Sequence, residues 1–264
     1  MRKLLCILVI LAGALCWHMT RPDTIHEKVG GPARPASQET RTFPAGTPRP
    51  PEELPSSLQL VWEGWHIREI AHSRIPREDW VPLKQMSPWL PKAQVAVEDK
   101  RFYSHHGVDP DGIIRATLVN IQNDEVVEGA STITQQLVKN LLLTSDQSVK
   151  RKAAEAALAL LVEARCSKEE ILEMYLNTTF LGSGATGVKQ ASQVYFGKNP
   201  KDLSLPQAAT LAGLPYAPTA LNPYANWQGS KKRRNLVLNR MAEQDMITPE
   251  QLEDALNEPL GIGK

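Results

Sequence analysis

The sequence is poor in cysteine and in net charge, and each shortage excludes a class of protein. Only three cysteines occur in 264 residues, and Cys6 and Cys16 lie in an apolar N-terminal run, so neither a disulfide framework nor a cysteine-based zinc site is expected. The formal net charge is +1, which gives no overall field for nucleic acid, so any anion site must be local. Cys166, the one cysteine of the body, is interpreted as a half-buried helix residue rather than a nucleophile.

Long apolar runs are also scarce, and the run at the N-terminus is short. Arg2 and Lys3 precede an apolar stretch from Leu4 to Trp17, which is shorter than the ~20 residues of a comfortable membrane span. Residues 1–19 therefore fit either a cleaved signal peptide or an uncleaved signal anchor. In both cases the basic end stays inside, and the chain from residue 20 onward crosses the membrane.

The remaining chain divides at a change in composition. Residues 20–57 contain eight prolines and are predicted to form an extended, poorly ordered linker, because this composition cannot build a core. Residues 58–264 are predicted to form one domain. Repeats and sustained strand alternation are missing from it, whereas Ala- and Leu-rich segments with capping signals recur, so the fold class is predicted to be mostly α.

Several of these helices have predicted ends. Ser167 and Thr248 are predicted N-caps, because Glu170 and Gln251 stand three residues after them and complete capping boxes. Ser204 is a third predicted N-cap, because Pro206 falls in the first turn after it. Further helices are predicted to run from Ser148 to Cys166 and to start at Ser230.

The stretch AVEDKRFYSHHGVD, residues 96–109, places two acids directly after an apolar run. A buried carboxylate is costly unless it is paired or used. Glu98 is therefore a candidate acid or base, with a capping or salt-bridged acid as the alternative. Asp99 is expected to pair with Arg101 or His105, or to accept backbone N–H groups, and so to fix the loop. The two adjacent histidines lack the spacing of a metal site, so a histidine is expected to orient an acid.

Two further stretches suit the binding of an anion or a sugar. GASTITQQLVKN, residues 129–140, opens with small residues and continues with neutral hydrogen-bonding side chains. This pattern is typical of a phosphate or sugar bound at a helix start, and equally of a polar helix N-terminus without a ligand. In KRKAAE, residues 150–155, Arg151 and Glu155 share a helix face. This pair is either an ordinary surface ion pair or a carboxylate held beside a cation that binds an anionic leaving group.

These stretches resemble, in order, the motifs of glycosyltransferase family 51. EDKRFYSHHG fits the family pattern EDxxFxxHxG, and GASTITQQLVKN is similar to GGSTITQQLxKN. RKAAEAALALLVEARCSKEEILEMYLN, ASQVYFGK and AATLAGLPYAPTALNP resemble its later motifs, so the resemblance extends from about Trp80 to Leu260. It implies a monofunctional peptidoglycan glycosyltransferase that polymerises lipid II with inversion at the anomeric carbon.

The resemblance also implies a role for each site residue. Glu98 matches the principal catalytic glutamate, which takes the proton from the acceptor's sugar 4-hydroxyl. Glu155 matches the second essential glutamate, which orients cations or a divalent metal. The only cofactor that the resemblance implies is such a cation, Mg²⁺ or Mn²⁺, and no residue is predicted to be its ligand. Lys139 and Arg151 match the cations that hold the diphosphate. Ser131, Gln135 and Gln136 match polar residues that contact the substrate. Asp99, Phe102 and His105 match residues that support the site.

The fold implied is a lysozyme-like helical head with a small membrane-facing jaw, roughly Gly112 to Gly129, preceded by the membrane anchor and the proline-rich linker. The implied location is the cytoplasmic membrane, crossed once, with the catalytic domain on the extracytoplasmic, or periplasmic, side. The implied partners are lipid II, the growing glycan chain on undecaprenyl diphosphate, the membrane and proteins of cell-wall synthesis, without nucleic acid.

The sequence departs from the family pattern at Gln147, which stands eight residues before Glu155, where the family often has a basic residue. Weaker binding of the donor diphosphate is therefore expected. The sequence contains no Ser-x-x-Lys and no Lys-Thr-Gly, so no transpeptidase activity is expected. Two rivals stay open, a lysozyme-like glycan hydrolase and a non-catalytic membrane-tethered scaffold of a wall-synthesis complex. A hydrolase has no use for Lys139 and Arg151 aimed at one anion, and product analysis separates the three.

Overall fold

The computed structural model describes residues 54, 56–123, 129–143 and 148–262. Within those ranges the chain forms eleven α-helices joined by loops and 3₁₀ turns, and contains no β-strand beyond a single bridge between Phe180 and Thr186. The mostly α fold class is confirmed for these residues. The predicted membrane segment, nearly all of the proline-rich linker and Gln147 lie outside them.

The helices are numbered here in chain order. They are α1 Ser56–Trp65, α2 Ile67–Arg74, α3 Trp89–Glu98, α4 Pro110–Asn123, α5 Ile133–Leu142, α6 Val149–Glu163, α7 Lys168–Thr178, α8 Val188–Phe196, α9 Leu205–Gly213, α10 Trp227–Ala242 and α11 Pro249–Asn257.

The capping signals in the sequence start three helices where predicted. α7, α9 and α11 begin directly after Ser167, Ser204 and Thr248. In each, the Glu or Gln side chain three residues on accepts a hydrogen bond from the N-cap backbone N–H. These contacts are local in sequence, which is why the sequence alone could locate them.

Two predicted helix ends are wrong. α10 begins at Trp227 rather than Ser230, because the Asn226 side chain caps it by accepting from the Gly229 N–H at 2.9 Å. α6 ends at Glu163, short of Cys166. Cys166 is buried rather than half-buried, and burial raises the pKa of its thiol to about 11, so the thiol stays protonated and unreactive at neutral pH.

The core consists of two groups of helices. In the first, α5 packs against α6 and α7; in the second, α9 lies against both α3 and α10, and all of its residues are buried. Alanines make the second group tight, since Ala93 and Ala96 of α3 join Ala209 and Ala212 of α9 in one cluster, and small side chains let helix axes approach closely. This packing brings the C-terminal end of α3 beside α10.

α4 presents apolar side chains to solvent. Ile113, Ile114, Leu118 and Ile121 are exposed, whereas Ala116 between them is buried. None of the helices in the described ranges is long and apolar enough to span a membrane. The exposed apolar face of α4 lies within the segment expected to form the jaw.

Candidate active site

A cavity of about 180 Å³ lies where the end of α3, the start of α4, the loop before α5 and one face of α10 meet. These segments are far apart in sequence, so the site exists only in the folded chain. Polar and charged side chains dominate its lining, which includes Glu98, Arg115, Ser131, Gln136, Tyr216 and Arg233.

Glu98 is the last residue of α3, and its side chain is 13% exposed. Its Oε2 accepts a hydrogen bond from Gln136 Nε2 at 2.8 Å, and its Oε1 lies 3.5 Å from Arg233 Nη2. Burial raises the pKa of Glu98 above its ordinary value, although the Gln136 hydrogen bond and the charges of Arg233 and Lys139 oppose the shift. A carboxylate with a raised pKa is better matched to proton removal near neutral pH.

Gln136 is oriented by a buried tyrosine. The Tyr175 hydroxyl donates to Gln136 Oε1 at 2.9 Å, which leaves the Gln136 NH₂ group to face Glu98. Burial and the nearby charge of Glu98 raise the pKa of Tyr175 well above its ordinary value, so the hydroxyl remains a donor. Sequence reasoning did not identify Tyr175.

Asp99 fixes the loop that follows Glu98. Its carboxylate accepts from the Ile133 backbone N–H at 3.0 Å and lies 2.9 Å from His105 Nε2. Phe102 is fully buried and its ring meets the His105 ring edge-on. The structure therefore brings the three residues expected to support the site, Asp99, Phe102 and His105, together behind Glu98.

Two other positions of this loop have structural explanations. Gly107 has φ +90°, and a Cβ there would come 2.6 Å from the Ala159 carbonyl oxygen, so only glycine fits. Arg101, the other partner expected for Asp99, pairs instead with Asp109 at 3.5 Å and with Asp111 at 2.7 Å. It thereby ties the loop to the start of α4.

The adjacent glutamines Gln135 and Gln136, in the first turn of α5, face different surroundings. The Thr132 hydroxyl oxygen accepts from the Gln135 N–H, and Gln135 Oε1 accepts from the Thr132 N–H, each at 3.1 Å. Gln135 is thus buried in a capping box and is not part of the cavity lining, so the substrate contact expected for it stays a prediction. Ser131 and Gln136 do line the cavity.

Glu155 on α6 is buried and holds two cations. Its Oε2 lies 2.7 Å from Arg151 Nη1, and its Oε1 accepts from Lys152 Nζ. Lys152 also donates to Ser131 Oγ at 2.7 Å, which ties the pair to the cavity wall. Because the Glu155 side chain is only 2% exposed, this is not an ordinary surface ion pair. Sequence reasoning missed Lys152, although its spacing of three from Glu155 on a helix was a signal.

α10 supplies a second cation that the sequence reasoning missed. Arg233 lies beside Glu98, and its guanidinium stacks on the Tyr216 ring at 4.4 Å from the ring centre. Leu236 and Arg240 extend the same wall of the cavity. The run KKRR around Arg233 resembles the solvated face of a surface helix, so only the folded contact distinguishes this arginine from its neighbours.

The residues of the site do not fit a metal held by protein ligands alone. The described part of the chain contains no group of three or more His, Cys, Asp or Glu side chains that could hold a metal ion. The oxygens of Glu98 and Glu155 already face nitrogen donors.

Fold and site together define a helical domain that holds a buried carboxylate at a cation-lined cleft. The chain belongs to the transglycosylase family, whose family model matches residues 64–242. This confirms the resemblance read from the motifs.

Named relatives support the same assignment. Penicillin-binding protein 1A of Aquifex aeolicus (strain VF5) is 48% identical over 190 residues, covering 72% of this chain and 26% of the relative. Penicillin-binding protein 1A of Haemophilus influenzae is 45% identical over 210 residues, or 79% of this chain and 24% of the relative. The chain thus spans about a quarter of the length of these curated relatives. The crystal structure of the Haemophilus influenzae protein aligns with a TM-score of 0.41 and 27% identity, over 70% of this chain and 18% of that chain.

Proposed function

We propose that this chain is a peptidoglycan glycosyltransferase that polymerises lipid II into β-1,4 glycan strands and releases undecaprenyl diphosphate. The observation that carries the proposal is a pair of buried glutamates with opposite surroundings, Glu98 in the cavity lining and Glu155 connected to the cavity wall through Lys152 and Ser131. Glu98 keeps one oxygen free of short hydrogen bonds, whereas Glu155 is closed by two cations. Membership of the transglycosylase family supports the same reaction class.

In the proposed reaction Glu98 removes the proton of the acceptor's sugar 4-hydroxyl as that oxygen attacks the anomeric carbon of the donor. The new C–O bond forms on the face opposite the diphosphate, and the electron pair of the breaking C–O bond goes to the diphosphate oxygen. An α-linked donor therefore gives a β-linked product. Because the diphosphate leaves as a stable anion, a strong general acid matters less than in glycoside hydrolysis, and charge stabilisation matters more.

The diphosphate is assigned to cations next to the cavity, where Lys152 donates to the lining residue Ser131. Lys139 is exposed and close enough to Glu98 to lower its pKa. Arg151 and Lys152 are both fixed by Glu155, and Lys152 is 47% exposed, so its ammonium can reach a ligand. We assign Lys152 to the diphosphate in addition to Lys139 and Arg151. A divalent cation, Mg²⁺ or Mn²⁺, remains part of the proposal only as a companion of the substrate diphosphate.

The domain is proposed to work at the membrane that holds its lipid-linked substrates. The exposed apolar side chains of α4 support this, because isolated apolar residues on a surface are ordinary but a stripe along one helix marks an interaction face. α4 then belongs to the jaw of a lysozyme-like head. The single-pass anchor, the extracytoplasmic location and contacts with other cell-wall synthesis proteins belong to the same proposal.

Incubation of the purified full chain with labelled lipid II tests the function. We expect glycan polymer from the wild type and a loss of ~10²–10⁴-fold in rate for Glu98→Gln, the usual range for a positioned base. Glu253→Gln, an exposed acid on α11, is the matched control and should keep full activity. Fragments released from sacculi would favour the hydrolase, and absence of any turnover by the wild type would favour the scaffold. A Glu98→Gln rate within a few-fold of wild type would remove Glu98 from its role.

A further inference from the structure

The Glu98 carboxylate has two neighbours, Gln136 and Arg233, which lie at different distances from its oxygens. Gln136 makes a hydrogen bond of 2.8 Å to Oε2, but the Arg233 guanidinium stands 3.5 Å from Oε1. Charge-assisted N–H···O bonds measure about 2.7–2.9 Å, so Arg233 supplies a positive charge without closing Oε1. An acceptor hydroxyl needs just such an oxygen, ionised and free to take a proton.

The Arg233 side chain is held in place by a backbone carbonyl group and an aromatic ring. Its Nε donates to the Gly213 carbonyl oxygen at 3.3 Å, and its guanidinium lies over the Tyr216 ring. A Cβ on Gly213 would come 2.8 Å from Arg233 Cγ, so glycine is what lets the end of α9 approach this side chain. With 17% of its side chain exposed, Arg233 is not a freely moving surface arginine.

The other charged and titratable groups around Glu98 do not duplicate this contact. Lys139 of α5 acts at longer range in the same direction, whereas the charge of Asp99 acts against ionisation of Glu98. Tyr175 of α7 is held neutral by burial. Arg240 of α10 faces Arg233 and pairs with Glu243. Arg233 is therefore the cation in direct contact with Glu98 among the residues that the structure describes.

We propose that Arg233 is a positioning residue for glycosyl transfer, which keeps Glu98 ionised and aimed at the acceptor hydroxyl, with Gly213 and Tyr216 fixing the guanidinium. This inference rests on the proposed function. It assigns Arg233 to the base rather than to the diphosphate. Its loss should therefore change the pH dependence of the reaction and kcat, not the affinity for a diphosphate ligand.

The direction of the pH effect follows from the charges. Arg233 now lowers the pKa of Glu98 against the effect of burial. Removal of that charge raises the pKa of Glu98, so the acidic limb of kcat/KM against pH moves to higher pH. At neutral pH the protonated fraction and the looser geometry together should lower kcat by ~10–10²-fold, since small misplacements of a reacting group can cost that much.

Four variants of the full chain test the proposal, each by a pH–rate profile with labelled lipid II. Arg233→Gln should show the shifted limb and the lower kcat, and Arg233→Lys, which keeps the charge but not the planar fork, should return the limb towards wild type. Gly213→Ala, which pushes on Arg233 Cγ, should give a weaker version of the Arg233→Gln profile. Lys232→Gln removes an exposed charge from the same helix and should leave the profile unchanged.

The outcomes separate this inference from the function on which it rests. If the wild type makes no polymer, the proposed function fails. If the wild type is active and Arg233→Gln keeps the wild-type acidic limb, or if Arg233→Gln weakens a diphosphate-mimicking phosphoglycolipid more than it lowers kcat, the inference about Arg233 fails alone. Should Arg233→Gln not fold, as judged by its thermal melt, the profiles of Arg233→Lys and Gly213→Ala decide: two wild-type profiles overturn the inference.

Discussion

At the scale of single residues, Glu98 and Glu155 show that neighbouring groups determine the chemical role of a buried carboxylate. Both are buried, but Glu155 has a cation at each oxygen, whereas Glu98 has an amide at one oxygen and a more distant guanidinium at the other. A carboxylate closed by short charged hydrogen bonds is a fixed anion that positions cations. A carboxylate that is desolvated and only partly paired is available to accept a proton.

Glu98 should cost the protein stability at neutral pH, as residues at functional sites often do. Because burial raises its pKa in the folded state, the native protein binds the proton more tightly than the unfolded chain, and the stability penalty of Glu98 grows as pH rises above the unfolded pKa. Glu98→Gln should therefore melt at a higher temperature than wild type near pH 7.5. The difference should shrink as pH falls towards 4. Thermal melts across this range check the prediction, and a lower melting temperature for Glu98→Gln at neutral pH would contradict it.

Glu155→Gln should weaken the binding of a diphosphate mimic, because Arg151 and Lys152 lose the carboxylate that places them. One charge-assisted contact is worth about 1.5–3 kcal/mol, so a labelled phosphoglycolipid should bind roughly 10–100-fold less tightly.

Glu163→Gln is the matched control for this measurement, since Glu163 also lies on α6 and pairs with a lysine, Lys168, but is not the carboxylate that holds Arg151 and Lys152. It should destabilise the fold without changing binding. Equal losses of affinity in Glu155→Gln and Glu163→Gln would mean that the effect is general destabilisation, not placement of the cations.

The sequence motifs named several of the residues that the structure brings together around Glu98, and the contacts that they did not anticipate have a physical pattern. Glu98 ends α3, and Asp99 and His105 lie in the loop that follows, so their proximity could be expected from spacing alone. The capping contact of Gln135 was not anticipated, because a polar residue at a helix start serves equally as a cap and as a ligand contact. Arg233 could not be found from spacing, because its contact with Glu98 joins residues 135 positions apart.

At the scale of elements, three of the helices that carry capping boxes were predictable, whereas the capping box of α5 was not recognised. Ser167 and Thr248 start α7 and α11 through contacts within four residues. The start of α10 was missed because Asn226 caps it from within a turn-rich loop, where an asparagine is equally expected as a turn residue. Which face of each helix points inward depends on tertiary packing, and α9, buried on all sides, has no amphipathic pattern to reveal it.

α4 provides the prediction that belongs to this scale. Leu118→Gln and Ile121→Gln replace exposed apolar side chains, so neither should change the melting temperature much. If this face enters the membrane interface, each should weaken binding to lipid vesicles by about tenfold, since burying such a side chain contributes roughly 1.5–3 kcal/mol and 1.4 kcal/mol is tenfold. Vesicle co-sedimentation measures the effect.

Leu160→Gln on α6 is the control, because Leu160 is also an exposed leucine but lies on another helix. It should bind vesicles as wild type does. Unchanged binding in both α4 variants would remove this face from the membrane interface, while the proposed chemistry at Glu98 would be unaffected.

At the scale of the whole molecule, the site depends on two groups of helices meeting. α3, α9 and α10 bring Glu98 and Arg233, and α5, α6 and α7 bring Gln136, Glu155 and Tyr175. The family resemblance anticipated a helical domain. The sequence placed the boundary at residue 58, whereas α1 already starts at Ser56 and packs against α5 and α6.

Two truncated chains test that boundary. A fragment starting at Leu54 keeps α1 and should melt cooperatively within a few degrees of the full chain, because the proline-rich composition before it cannot build a core. A fragment starting at Ile67 loses α1, with the packing of Leu60 and Val61 on the core and the stacking of Arg165 on Trp65 at 3.6 Å. At about 1.5–3 kcal/mol for each large apolar side chain that is fully buried, its melting temperature should fall by roughly 5–15 °C. Equal melting of the two fragments would show that α1 is not part of the folding unit. A large drop already in the Leu54 fragment would show that the preceding residues stabilise the domain, so the pair of melts places the start of the domain from both sides.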